Sequence, residues 1–179
     1  MFNKLYKTPV INPRIFMVYG PGQKDYSKLV PYVILSLLKN KAPKLTDGSR
    51  LVDWIYVDDV VDSLLTGAMN DIDPEKSFHI GSGQHLTVKE IVNKLVEIMD
   101  SDIRPAFGVH SSRPFERIVK ADQEKILIKP KIGIEEGLKR TVDWYKRNYK
   151  KITQSPQYKA IAIGLSFFID LQPELLSMI

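Results

Sequence analysis

Residues 50–70 pass from one secondary-structure pattern into another with no loop between them, and this junction restricts the fold more than any other part of the sequence. Residues 50–57, Arg-Leu-Val-Asp-Trp-Ile-Tyr-Val, are dominated by β-branched and aromatic side chains and read as a strand. Asp58 and Asp59 then open a segment running to about Asn70 whose apolar residues recur at helical spacing. Two acids in a first turn favour the positive end of the helix dipole, so they read as helix-capping residues rather than catalytic acids. A strand that feeds straight into a helix is the building unit of an α/β chain.

The same alternation extends in both directions. Residues 1–7 have the pattern of the end of an amphipathic helix, broken by Pro9, and residues 10–19 read as one largely apolar strand ended by Gly20-Pro21-Gly22. Residues 27–39 have the spacing of a helix, with Pro31 tolerated in its first turn. Residues 43–48 suggest a short strand and turn, and residues 77–80 a third main strand. Residues 87–100 form a helix in which Thr87 caps and Glu90 completes a capping box. Short β-like runs lie at 105–109 and 117–121, and residues 135–149 make the last helix. Strands alternating with helices predict a parallel sheet, and the weaker middle part a small mixed subdomain.

Composition narrows the function classes. With 179 residues and 44% hydrophobic content, the chain is sized for one sizeable core. It has no cysteine, which excludes disulfides, thiolate zinc sites and a cysteine nucleophile, and favours a reducing, cytoplasmic setting. The net charge of +5 is concentrated at 139–151, where basic and apolar residues alternate at helical spacing. This fits a solvated helix face better than a nucleic-acid groove, so no nucleic-acid partner is expected. The apolar stretch 160–171 is shorter than the roughly 20 residues a membrane helix needs and contains Asp170, so no membrane association is expected either. His85 and His110 lack acidic or histidine partners at ligand spacing, and no metal is assigned. His79, at a strand end, reads as structural.

Five stretches carry chemistry. They are Arg14-Ile15-Phe16-Met17-Val18-Tyr19-Gly20-Pro21-Gly22-Gln23; the run 47–61 ending in Tyr56-Val57-Asp58-Asp59-Val60-Val61; Phe78-His79-Ile80-Gly81-Ser82-Gly83; Arg113-Pro114-Phe115-Glu116 followed by Ala121-Asp122; and Pro130-Lys131-Ile132-Gly133-Ile134-Glu135-Glu136-Gly137-Leu138. In this order they resemble the extended short-chain dehydrogenase/reductase family, specifically the C-terminal half of its NAD(P)-dependent nucleotide-sugar epimerases and dehydratases. The resemblance implies an α/β fold made of the C-terminal part of a Rossmann-type parallel sheet plus a small mixed α/β substrate-binding subdomain. It divides the chain into residues 1–150, the family region, and 151–179, an atypical tail.

The resemblance also implies roles. Arg113 would grip a phosphate of a nucleoside-diphosphate sugar and Glu116 would accept hydrogen bonds from its ribose hydroxyls, matching guanidinium to phosphate and carboxylate to diol. Val52 stands where the family carries its diphosphate-binding arginine, and Arg50, two residues earlier on the same strand face, is expected to substitute for it. Leu29 and Val30 would line the pocket, and Ile15 and Phe16 would flank a nicotinamide. Met17 replaces an Asn that touches substrate in many members.

Two family features are absent. No tyrosine has a lysine four residues later, so the pair that assists hydride transfer is missing, and no glycine-rich loop of the dinucleotide fingerprint is present. Residue 1 falls where the catalytic helix would be ending. No catalytic residue is therefore assigned. NAD or NADP belongs to the complete family member, and the chain alone is expected to bind neither and to be inactive. A separate cofactor-domain chain is a candidate partner, and a non-catalytic ligand- or partner-binding module is the alternative. The segment between Asp122 and Pro130 lacks the family's Leu-Gly-Trp, so a helix there is expected to be shortened.

Overall fold

The computed structural model describes residues 5–8, 10–70, 77–111 and 121–161. Arg113 and Glu116, and the β-like residues 117–120, lie outside the described residues.

The stretch 10–19 forms two strands rather than one. β1 (Asn12–Ile15) pairs in parallel with β4 (Ser77–Ile80), whereas β2 (Met17–Tyr19) pairs in parallel with β3 (Leu51–Tyr56). The switch occurs at Phe16, whose N–H donates to Ile80 O at 3.0 Å as the last rung on the β4 side. β4 ends there, and the next residue, Gly81, has no room for a side chain: a Cβ on it would lie 2.7 Å from Ala121 Cβ and 3.1 Å from Asp53 Oδ2. One apolar run thus crosses from a two-stranded parallel pair to a three-stranded sheet completed by β5 (His85–Thr87), antiparallel to β3. Both strands are paired, although Ile15 and Met17 stay 44% and 38% exposed.

Helix α1 (Leu29–Leu38) is apolar on most sides and buries Val30, Val33, Ile34, Leu35 and Leu37. It stops at Asn40, which takes a left-handed φ of 55°, while Asn40 N and Lys41 N donate to Leu37 O and Ser36 O in a Schellman arrangement. Helix α2 (Val57–Met69) follows β3 directly. Helix α3 (Val88–Ile98) has the expected cap: Glu90 N donates to Thr87 Oγ1 at 3.1 Å, and Thr87 N donates to Glu90 Oε2 at 2.6 Å. The Thr87 N–H and hydroxyl, which both donate to Glu90 Oε2, hold that carboxyl below its usual range. Helix α4 (Ile134–Gln154) runs past the expected end at 149 and through the 150/151 boundary. Residues 43–48 form no strand; Lys44 makes only an isolated bridge to Ala106.

α1, α3 and α4 pack on one another over the three-stranded sheet. Their core contains Tyr19, Trp54, Tyr56, Ile91, Leu95, Leu138, Val142 and Tyr145. A second, smaller cluster of Ile55, Val60, Phe78 and Ile80 lies between α2 and the β4 side. In α4 the buried residues Leu138, Thr141, Val142 and Tyr145 occupy one face, while Lys139, Arg140, Lys146, Arg147 and Lys150 face solvent, as the basic run predicted. Among the described residues no helix is long and apolar enough to cross a membrane.

Candidate functional site

Two buried carboxylates organise the region where β3, the turn after β4 and the start of α4 meet. Asp53, within the apolar strand β3, is 1% exposed. Its Oδ1 accepts from Ser82 N at 2.7 Å and from Ser82 Oγ at 2.8 Å, and its Oδ2 accepts from Gly83 N at 3.0 Å. The Gly81-Ser82-Gly83 turn is therefore closed onto a side chain of the neighbouring element, and its Ser82 and Gly83 N–H groups already have acceptors. His85 Nε2 lies 3.7 Å from Asp53 Oδ2, buried and without a hydrogen bond.

The second carboxylate departs from expectation. Asp58 and Asp59 sit in the first turn of α2, but Tyr56 is the N-cap and no side chain caps that helix. Asp59 is buried and instead accepts from Lys131 N at 2.9 Å and from Ile132 N at 3.2 Å. It holds the strap that leads into α4, because those two donors have no ladder or helix partner of their own. Asp62, one turn later, pairs with Lys131 Nζ at 2.6 Å.

Between these anchors opens a cleft of about 380 Å³. Tyr19, Trp54 and Tyr56 line it, Ser82 and Gln84 border it from the turn, and the strap from Lys129 to Ile134 borders it from the other side. The 122–130 segment, where the resemblance implied a shortened helix, holds a three-residue 3-10 helix (Gln123–Lys125). Tyr19 is 3% exposed, and its hydroxyl donates to Ile134 O at 3.4 Å. Burial, reinforced by Tyr56 and Asp59, pushes its phenol far above the ordinary tyrosine range, so it stays neutral.

His79 is a structural residue. It is buried, its Nδ1 accepts from Asp122 N at 2.8 Å, and Phe16 meets its ring edge-on at 5.3 Å. Burial first, then Lys125 and Arg14, lowers its pKa, which keeps the imidazole neutral and able to accept.

The residues singled out from sequence are spread along the chain. Ile15 is exposed at the end of β1, and Phe16 is half-buried at the switch between sheets. Val30 is in the core and Leu29 packs against it at the start of α1; neither lines the cleft. Arg50 is exposed just before β3, its carbonyl accepting from Val88 N at 3.0 Å, while Val52 is 7% exposed in the core. Sequence reasoning missed Asp53, whose signal is a lone acid inside an otherwise apolar strand. Among the described residues no group of three or more His, Asp or Glu could hold a metal.

The family described as NAD dependent epimerase/dehydratase matches residues 1–81. The dTDP-D-glucose 4,6-dehydratase of Mus musculus is 32% identical over 155 residues, covering 80% of this chain and 43% of the mouse protein. The structure of UDP-glucose 4-epimerase with UDP-glucose from Thermotoga maritima is 29% identical and superimposes with a TM-score of 0.72, over 83% of this chain and 49% of that one. An epimerase from Methanothermobacter thermautotrophicus, 24% identical, shares the fold with a TM-score of 0.77 over 86% of this chain and 48% of its own.

The fold is α/β with parallel strands, and it matches about half of each of these Rossmann-type epimerase structures. Over residues 1–81 the chain is similar to the NAD dependent epimerase/dehydratase family, and it spans less than half the length of each of these three relatives.

Proposed function

We propose that the chain is the nucleotide-sugar-binding half of an NAD(P)-dependent epimerase or dehydratase. The observation that carries this reading is the division at Phe16. On one side β1 and β4 form a parallel pair of the kind that continues a Rossmann sheet; on the other, β2, β3 and β5 build a separate small sheet under α1, α3 and α4. That separation suits a fold in which a sugar nucleotide lies between a cofactor domain and a substrate domain. The activities of the dehydratase and epimerase relatives, on dTDP-D-glucose and UDP-glucose, support the ligand class.

In this reading Arg113 binds a phosphate, Glu116 the ribose hydroxyls and Arg50 the second phosphate, with Leu29 toward the base; Val30, expected beside it, is instead a core residue. Ile15 and Phe16 face the nicotinamide of a cofactor bound by further polypeptide. The residues in hand do not fit a dinucleotide by themselves. The glycine-containing turn after β4 has its Ser82 and Gly83 N–H groups held by Asp53, leaving no cradle for a pyrophosphate there. The chain also carries no Tyr-x-x-x-Lys pair. Binding without turnover is therefore its expected behaviour, in a cytoplasmic setting.

Calorimetric titration of the purified chain with UDP-glucose and dTDP-glucose tests this reading. Binding that weakens about tenfold or more in Arg113→Ala and in Arg50→Ala is expected, the order of a charge-assisted hydrogen bond to phosphate. Absence of binding to either sugar nucleotide by the unaltered chain, or turnover with added NAD, would overturn it. Coexpression with a cofactor-domain chain, read by co-purification and NAD binding, tests whether a second polypeptide completes the site.

A further inference from the structure

The segment after α4 turns back onto the body of the protein. α4 ends at Gln154, Ser155 takes an extended ψ of 143°, and residues 156–161 form a second helical stretch. Ser155 builds the corner. Its hydroxyl donates to Ile152 O at 2.7 Å and accepts from Tyr158 N at 3.2 Å, and its carbonyl accepts from Lys159 N at 3.1 Å. A serine cap followed by Pro156 at the first helical position gives the new helix a defined start.

That corner brings Tyr158 against Tyr26, with ring centroids 5.6 Å apart and planes at 71°. The Lys39 ammonium lies 4.5 Å from the centroid of the Tyr158 ring. Tyr158 thereby joins the loop between β2 and α1, which carries Tyr26, to the far end of α1, which carries Lys39. Tyr26 is only 8% exposed, and Ile161 adds apolar contact to the same core. The loop is held at a second point by Tyr145, whose hydroxyl donates to Gln23 O at 2.9 Å. Between these two tyrosine contacts Asp25 accepts from Ser27 N at 3.1 Å and Ser27 Oγ at 2.5 Å, leading into α1.

We propose that Tyr158 is a positioning residue for ligand binding. Through Tyr26 it fixes the 20–28 loop and the first turn of α1 in the geometry that receives the nucleotide. The inference rests on the preceding reading that the start of α1, at Leu29, lies toward the base. Residues 155–161 then act as a brace for the binding loop.

Amide hydrogen exchange on the whole chain, compared for the unaltered protein and for Tyr158→Phe, Tyr158→Leu and Tyr158→Ala, tests the brace directly. Exchange at 23–28 is expected to quicken about tenfold in the Ala and Leu variants, as loss of an edge-to-face aromatic contact implies, with α3 unchanged and Phe restoring protection. UDP-glucose affinity, measured alongside, should fall with the loop protection and recover in Tyr158→Phe. Unchanged exchange at 23–28 in Tyr158→Ala would overturn the proposal. So would equal loss of protection across 23–28 and α3 in both Ala and Leu variants, because Tyr158 would then be a general core residue. If the unaltered chain binds no UDP-glucose, the reading of function fails, while the exchange result still decides whether Tyr158 braces the loop.

Discussion

Ser82 donates both its backbone N–H and its hydroxyl to one oxygen of Asp53, at 2.7 and 2.8 Å, across 29 residues of sequence. With Gly83 N on the other oxygen, three donors satisfy a carboxylate that has almost no access to water. A buried charge is tolerated only when hydrogen-bonded in this way. Asp53→Asn places an amide NH₂ against one of those donors, and the variant is expected to lose about 2–4 kcal/mol of stability. Urea unfolding checks this; an unchanged midpoint at an unchanged slope would show that the clamp contributes nothing.

Gly137 occupies the first turns of α4, where alanine would ordinarily favour the helix by about 1 kcal/mol. Here a Cβ would overlap the Tyr19 hydroxyl and lie 2.9 Å from both Tyr19 Cζ and Tyr56 Cδ2. Tyr19 and Tyr56 are both buried, so neither ring has room to yield. Gly137→Ala is therefore expected to destabilise by about 1–3 kcal/mol, the usual cost of overpacking. Thermal unfolding that shows Gly137→Ala to be more stable than the parent would contradict the close packing of α4 on β2.

His79 gives the protein a pH dependence of known sign. Its folded pKa is lowered from 6.5 by burial and by Lys125 and Arg14, so in mildly acidic solution the unfolded chain binds more protons at this site than the folded one. Stability from this group is present above pH 6.5 and is lost as pH falls toward the folded value. Protonation would also remove the acceptor for Asp122 N. His79→Asn keeps an acceptor without titrating, and the slope of its urea midpoint between pH 7 and pH 5 should be shallower than the parent's. Identical slopes would exclude His79 as the titrating group.

The cap on α3 offers a local control. Thr87 and Glu90 exchange hydrogen bonds at the helix start, so Thr87→Ala should cost about 1 kcal/mol, with circular dichroism still reporting a folded protein. A loss much above that would mean that Thr87 also matters through its pairing with Leu51 in the sheet.

The sequence by itself determined those elements whose causes lie within a few residues. The spacing of Val30, Val33, Ile34 and Leu37 dictates an apolar helix, and the Thr87 and Glu90 pair marks the start of α3. The basic and apolar alternation after Leu138 sets which face of α4 turns to water. Motif order was legible too, because the glycine turns and the strand-to-helix junction at Val57 are local features, and the resemblance to the family rests on them.

Tertiary structure decided what depends on residues far apart in the chain. Nothing local at Phe16 shows that residues 10–19 divide between two sheets; that depends on β4 ending at Ile80 and on β3 offering Trp54 to Met17. Asp59 has the sequence position of a helix-capping acid, yet folding brings it two unpaired N–H groups from 72 and 73 residues away, and a buried carboxylate takes the donors that water cannot supply. Asp53, Tyr158 and the cleft between β3 and the α4 strap are of the same kind. Each is defined by partners that only the packed chain brings within reach.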